Sequence, residues 1–354
     1  MNQMPSLSPL RARPVDGPAF VSVRDLNVRF VSREATVKAV NGVSFDLAKG
    51  EVLCVIGESG SGKSVMMRSL LRLHNMKRTR MEGEMRVGDH DIAHVSDREM
   101  GKLRGPLISM IFQEPMTAFD PLYSIGAQIA ETVMHHEHVS REKAWARALE
   151  LLELVRVPSP ERRLKALPHE LSGGLRQRAM IALALSCRPS LLLADEPTTA
   201  LDASVQIQIL VLLRKLQREL GMSMIFVTHD LGVAAQIADK VAVMYSGRIV
   251  EYGDAHDVLL HPRHPYTKGM LASTVKDQPR GQPLGAIKGT PPDLRALPAG
   301  CSFAARCPYA EPAYSEALPP EAIDAKGHMA RCFRVHVQNE LLQFSAEDAL
   351  APTP

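Results

Sequence analysis

No stretch of this 354-residue chain stays apolar for the roughly 18–20 residues that a bilayer-crossing helix needs. The opening residues hold several prolines and two arginines but no apolar core of a secretory signal. Residues 1–19 are therefore expected to form a disordered N-terminal arm, and the chain is expected in the cytosol. There is no long run of lysine or arginine, and the formal net charge is only +3. That balance is too mild to argue for a nucleic-acid partner. The short Lys77-Arg78-Thr79-Arg80 stretch reads as a solvated face. Cysteine is scarce, and five thiols in a reducing compartment argue against a disulfide framework. No internal repeat is visible.

What is present suits a soluble globular protein with one large domain and an appendage: 45% of residues are hydrophobic and 23% are charged. From about Phe20 to Leu260, strand-like and helix-like segments alternate. Val21–Phe30, Val37–Leu47 and Glu51–Ile56 are rich in β-branched and apolar residues. Leu107–Phe112, Leu191–Ala194, Met222–Val227 and Val241–Met244 are short apolar runs of the fully buried strand type. Within Asp202–Leu220, Val205, Ile209, Leu212, Leu213, Leu216 and Leu220 recur at helical spacing. The alternation predicts an α/β fold with a mainly parallel sheet. Residues from about 121 to 175 include a helical insertion, in which Pro121–Leu167 lacks strand signals. Beyond residue 260 prolines cluster and helical periodicity fades, so residues 261–354 are expected to form a small, loop-rich C-terminal domain, with a boundary near His261.

Gly57-Glu58-Ser59-Gly60-Ser61-Gly62-Lys63-Ser64 fits the phosphate-binding pattern G-x-x-x-x-G-K-[ST], between the strand Val52–Ile56 and a helix-like run. Its glycines let successive backbone N–H groups turn toward phosphate oxygens, and the helix N-terminus adds a favourable dipole. Lys63 is expected to reach the β- and γ-phosphates of ATP, and Ser64 to ligate Mg²⁺. An ordinary glycine-rich turn is the bland alternative, and the flanking strand and helix argue against it. Leu191-Leu192-Leu193-Ala194-Asp195-Glu196 is an apolar strand ending in two carboxylates. It sets Asp195 at the edge of the sheet, where it would hold the Mg²⁺ shell, and makes Glu196 the general base for the attacking water.

Leu171-Ser172-Gly173-Gly174-Leu175-Arg176-Gln177-Arg178 resembles the signature motif of the ABC-type ATPases. The resemblance implies a P-loop ABC ATPase domain with a helical subdomain over residues 20–260. It also implies that Ser172, Gly173 and Gly174 cap the γ-phosphate bound by a second ATPase subunit. Leu175 departs from the family's usual Gln, as peptide-importer members commonly do. By the same resemblance Gln113 stands at the loop that touches Mg²⁺ and water and senses the membrane partner. Ala200-Leu201-Asp202 forms the loop communicating between the two ATP sites, and His229, in Thr228-His229-Asp230, is the switch residue on the γ-phosphate. Phe30 is the candidate to stack on adenine, with a core residue ending its strand as the alternative.

His261-Pro262-Arg263-His264-Pro265-Tyr266-Thr267, with Met110-Ile111-Phe112-Gln113-Glu114-Pro115-Met116, resembles the oligopeptide/dipeptide importer ATPases. As structure alone, the first stretch reads as a rigid proline-rich turn. Ala118, Phe119 and Asp120 depart from the family's frequent Thr-Ser-Leu-Asn-Pro near the membrane-subunit contact. The resemblance implies a peripheral protein on the cytoplasmic face of the bacterial inner membrane. Its implied partners are a second ATPase subunit, two permease subunits and a solute-binding protein on the far side. Peptides are the implied cargo; nickel, glutathione or opine-like solutes, or a soluble non-transport ATPase, are the alternatives.

Several members of that family hold a [4Fe–4S] cluster with four C-terminal cysteines. Here Cys301, Cys307 and Cys332 match three of them, and the fourth position falls at or beside Tyr314. Three readings are open: a cluster with an open iron or one bound by His328, zinc held by Cys301, Cys307, Cys332 and His328, or a lost site whose thiols merely pack. Cys54 and Cys187 read as buried core thiols.

Overall fold

The computed structural model describes residues 19–199, 201–273 and 286–337. The expected arm lies outside these residues apart from Ala19, as does Ala200. Twelve strands are found among the described residues, in two sheets. The smaller sheet is antiparallel, with β1 (Val21–Val31) between β2 (Thr36–Leu47) and β4 (Thr79–Val87), and the short β5 (His90–Asp91) beyond β4. The larger holds β3 (Val52–Ile56), β6 (Ile108–Ile111), β7 (Leu191–Asp195), β8 (Ser223–Thr228) and β9 (Lys240–Tyr245). It continues through β10 (Arg248–Asp254), β11 (Glu321–Ile323) and β12 (Met329–Arg331), in the order β11-β12-β10-β9-β3-β8-β7-β6. From β9 to β6 the pairs are parallel; the three strands beyond β9 are antiparallel.

The continuous apolar runs of the central strands follow from burial on both faces. Along β3, Leu53 and Val55 pack toward the antiparallel sheet, while Val52, Cys54 and Ile56 pack toward the helices. β8 alternates the same way, Ile225 and Val227 against Met224 and Phe226. The helical layer includes Ala203–Leu220, which buries Ile209, Leu212, Leu213 and Leu216. Leu220, expected in that stripe, is exposed where Gly221 ends the helix with φ 63°.

The helical insertion holds Ile125–Glu137, capped by Ser124, and Arg141–Leu154, capped by Ser140. Ile125, Ile129, Leu151 and Leu152 join it to the helix-side core.

Strand β4 was not legible in the sequence. Thr79, Met85 and Val87 are buried and the charged residues between them face solvent, so its apolar signal is thin. Strands β10, β11 and β12 were also unforeseen. Through them the C-terminal residues join the main sheet, with Glu251 paired to Ala330 and Tyr252 to Met329.

The join is organised by a buried carboxylate. Glu251, fully buried, accepts the backbone N–H groups of Arg263 at 2.7 Å and His264 at 3.0 Å, and lies 2.8 Å from His328 Nε2. Burial pushes His264 down to about 4, which leaves its Nδ1 free to accept the Tyr266 N–H at 3.0 Å and start the helix Pro265–Ala272. Glu251→Ala would orphan two backbone donors and His328. The expected loss is about 3–5 kcal/mol in chemical denaturation, with Glu251→Gln losing less; equal stability of Glu251→Ala and wild type would contradict this role.

Candidate functional site

Strands β3, β8, β7 and β6 run in parallel, so their C-terminal ends meet at one edge of the sheet, where open α/β sheets bind ligands. The phosphate-loop motif follows β3, His229 follows β8, Asp195 and Glu196 end β7, and Gln113 lies just past β6. An open cleft of about 660 Å³ lies there, lined by Ser59–Val65, Gln113, Glu196, His229, Phe30, Val37, Ala39 and Leu294.

Two loop glycines are demanded by close approach. A Cβ on Gly62, at φ 100°, would lie 2.3 Å from the Ala39 carbonyl oxygen; one on Gly57, at φ 152°, would lie 2.2 Å from that of Met244. Lys63 is buried, and its Nζ donates to the carbonyls of Gly57 and Glu58, both at 2.8 Å. Burial lowers its pKa, partly offset by the carboxylates of Glu196, Asp195 and Glu58. Ser61 Oγ is buried without a hydrogen-bond partner among the described residues. A loop with a turned-in ammonium and an orphaned hydroxyl suits a phosphate chain.

Ser64 Oγ donates to Asp195 Oδ1 at 2.7 Å, and Arg68 reaches Asp195 Oδ2 at 3.2 Å. Asp195 is fully buried. A hydroxyl beside a carboxylate is the hard oxygen pair that Mg²⁺ prefers, so these residues fit that ion. Glu196 leaves β7 with φ 44°, a left-handed turn rare for a residue with a side chain. Its Oε2 collects the Thr199 hydroxyl at 2.9 Å, Gln113 Nε2 at 3.5 Å and His229 Nδ1 at 3.2 Å. Three residues from three segments thus orient one carboxylate at the mouth of the phosphate loop.

Phe30 borders the cleft and meets the His74 ring edge-on, with centroids 5.5 Å apart. Ser172, Gly173 and Gly174 are not brought to this cleft. Ser172 begins the helix Gly173–Ala184, its hydroxyl makes no cap bond, and Ser172 and Gly173 are exposed. Asp202 lies outside the cleft too. It caps Ala203–Leu220 by accepting from Ser204 N at 3.1 Å and Val205 N at 3.0 Å, and these bonds, Val205's first, lower its pKa.

Leu294, Tyr266 and Arg306 were not foreseen. Leu294 borders the cleft, its carbonyl accepting the Lys38 N–H at 3.0 Å. Tyr266 and Arg306 bind Glu58 from behind the loop. Nothing in local sequence marks residues that come from more than 200 positions away.

Of the three readings open for the tail, neither metal reading finds support among the described residues. Cys301, Cys307, Cys332 and Tyr314 do line one cavity, with Phe303 and Phe333, but it measures about 20 Å³. That is room for about one water. His328 does not join the thiols; it is held by Glu251. Among the described residues no group of three or more His, Cys, Asp or Glu side chains is arranged to hold a metal ion. All three cysteines are free, and burial raises each thiol's pKa, Cys307 to about 11. Tyr314 stacks on Phe333 at 4.8 Å and accepts the Cys301 N–H at its carbonyl. The cavity is thus closed by packing. Protein purified anaerobically is expected to be colourless and to carry less than stoichiometric iron or zinc by elemental analysis; a visible absorption band with stoichiometric iron would overturn that.

Residues 40–199 match the ABC transporter family, and residues 250–313 match the oligopeptide/dipeptide transporter C-terminal region. The chain is 46% identical to the dipeptide transport ATP-binding protein DppD of Bacillus subtilis over 316 residues, spanning 88% of this chain and 94% of that one. It is 45% identical to the oligopeptide transport ATP-binding protein OppD of Escherichia coli K12 over 316 residues, 89% of this chain and 93% of that one. The dimeric post-hydrolysis structure of the ATP-binding cassette MJ0796 with ADP and Pi superposes with a TM-score of 0.59 at 29% identity, covering 66% of this chain and 98% of that one.

Proposed function

The chain belongs to the ABC transporter family, in its oligopeptide/dipeptide branch, and from this we propose that it binds and hydrolyses ATP to energise peptide import through a membrane ABC transporter. The observation that carries the reading is the convergence of the phosphate loop, the Ser64–Asp195 pair and the oriented Glu196 carboxylate at one cleft. The names of the relatives support peptides over nickel, glutathione or opine-like solutes, and over a soluble non-transport ATPase.

The loop Gly57–Ser64 takes the triphosphate, with Lys63 moving from its own carbonyls to the β- and γ-phosphates. Ser64, Asp195 and Gln113 would hold Mg²⁺, and the ion would supply charge neutralisation for the phosphate chain. Glu196 accepts the proton of the attacking water, and Gln113 and His229 keep its carboxylate aimed there. Phe30 stacks on adenine. Ser172, Gly173 and Gly174 act on ATP held by a second ATPase subunit, and the exposed helix start at Ser172 supports that arrangement. Asp202 sits at the loop joining the two sites.

The division of labour follows: residues 20–260 as the ATPase domain, with a helical subdomain at about 121–175, and 261–354 as a C-terminal domain. Exposed Met116, Leu122 and Tyr123, just past Gln113, support contact with permease subunits. Among the described residues no helix is long and apolar enough to cross a membrane, so attachment to the cytoplasmic face rests on those partners. A solute-binding protein delivers cargo on the far side. No step uses a tail metal, and the three thiols are read as packing residues.

Glu196→Gln is expected to bind ATP but to lose about 10²–10⁴-fold in hydrolysis, while Lys63→Ala weakens nucleotide binding itself. Steady turnover by Glu196→Gln would remove the base assignment. Import is tested by co-purification with two permease proteins; a chain that purifies alone from membranes and cytosol alike would count against it.

A further inference from the structure

Glu58, the second residue of the phosphate loop, turns its carboxylate toward the C-terminal domain. Arg306 meets it as a fork, Nη1 to Oε2 at 2.9 Å and Nη2 to Oε1 at 3.0 Å. The guanidinium is itself held fast: Nε donates to the Lys288 carbonyl at 3.1 Å, Nη1 to Tyr245 Oη at 3.3 Å and Nη2 to the Ile287 carbonyl at 3.4 Å. The Arg306 side chain is only 5% exposed. The Glu58 N–H donates to Tyr266 Oη at 2.9 Å. Its carbonyl accepts from Lys63 Nζ at 2.8 Å and Ser61 N at 3.2 Å. Backbone and side chain of this loop residue are therefore tethered, and both the carboxylate and the N–H are tethered by residues from beyond position 260.

We propose that Arg306, assisted by Tyr266, is a positioning residue for ATP, so that the C-terminal domain completes the nucleotide site of its own chain. The inference rests on the ATP reading of the cleft. Two physical effects support it. A glycine-rich loop that is free must be ordered by its ligand, and that ordering weakens binding; a loop held at Glu58 is ordered beforehand. Glu58 also sets a negative charge beside the seat of a triphosphate, and the bidentate guanidinium neutralises it. Leu294 marks the same dependence at the other end of the cleft, where the C-terminal domain supplies part of the wall beside Phe30 and Val37.

The test uses the full-length chain, with equilibrium binding of ATP·Mg²⁺, steady-state hydrolysis, and thermal melting without nucleotide. Arg306→Gln is expected to weaken ATP binding about tenfold, with the loss falling on KM more than on kcat. Glu58→Gln alone should cost less, because it loosens the loop without unmasking a negative charge beside the phosphates; the charge it leaves unpaired, on Arg306, is positive. Adding Glu58→Gln to Arg306→Gln should restore part of the affinity, since the two residues act as one unit. Arg306→Lys, which keeps the charge but loses the fork, should fall between wild type and Arg306→Gln. A lower melting temperature with wild-type affinity, and no rescue by Glu58→Gln, would reduce Arg306 to a structural role and overturn the proposal. If Arg306→Gln does not fold, Arg306→Lys and Glu58→Gln carry the same comparison, and wild-type affinity in both overturns it. Lys63→Ala separates the two levels: equal ATP binding by Lys63→Ala and wild type removes the ATP reading itself, whereas loss in Lys63→Ala with none in the Arg306 and Glu58 variants removes only this inference.

Discussion

The site depends on one half-buried hydrogen bond, from the Ser64 hydroxyl to Asp195 at 2.7 Å. Asp195 is fully buried at the end of an apolar strand, and an unpaired charge there would be severely destabilising. Its compensation comes from Ser64 and Arg68, both on the helix that follows the phosphate loop. The bond therefore locks the start of that helix against the end of β7, although β8 lies between β3 and β7 in the sheet. With those two ends fixed, Glu196 has little choice of position, and its left-handed backbone turn is the local expression of that constraint.

The same logic governs the C-terminal domain. Among its described residues, prolines aside, only Tyr266, Phe303, Met329 and Ala330 are buried apolar side chains, and it is held also through charged groups that need partners. Glu251 draws in two backbone N–H groups and His328; Arg306 is drawn to Glu58 and Tyr245. Around these pairs Tyr245, Tyr266 and Phe303 form a cluster of rings with centroids 4.6–5.5 Å apart. The tripeptide His264-Pro265-Tyr266 is thus more than a stiff turn: His264 caps a helix and Tyr266 receives the loop backbone.

Legibility varied with how much of each feature is written in neighbouring residues. The central strands were readable because both faces are buried, so every residue is apolar. The phosphate loop was readable because its chemistry needs particular residues at fixed spacing. Strand β4 hides its signal by exposing charges on one face, and β11 and β12 are each too short for alternation to register. Cys301, Cys307, Cys332 and Tyr314 were grouped by the family resemblance, and in the fold they line one cavity; what that cavity encloses depends on tertiary packing, which no local pattern carries.

The sequence by itself determined the α/β class, the phosphate loop, the acidic strand end and the family, because each is a local pattern whose physics is complete within a few residues. The tertiary structure alone decided that His328 serves Glu251 rather than the thiols, that Asp202 and Ser172 stand outside the cleft, and that Arg306 and Tyr266 grip Glu58. Those outcomes turn on which buried charge finds which partner, and that is settled only once distant segments compete for the same space in the folded chain.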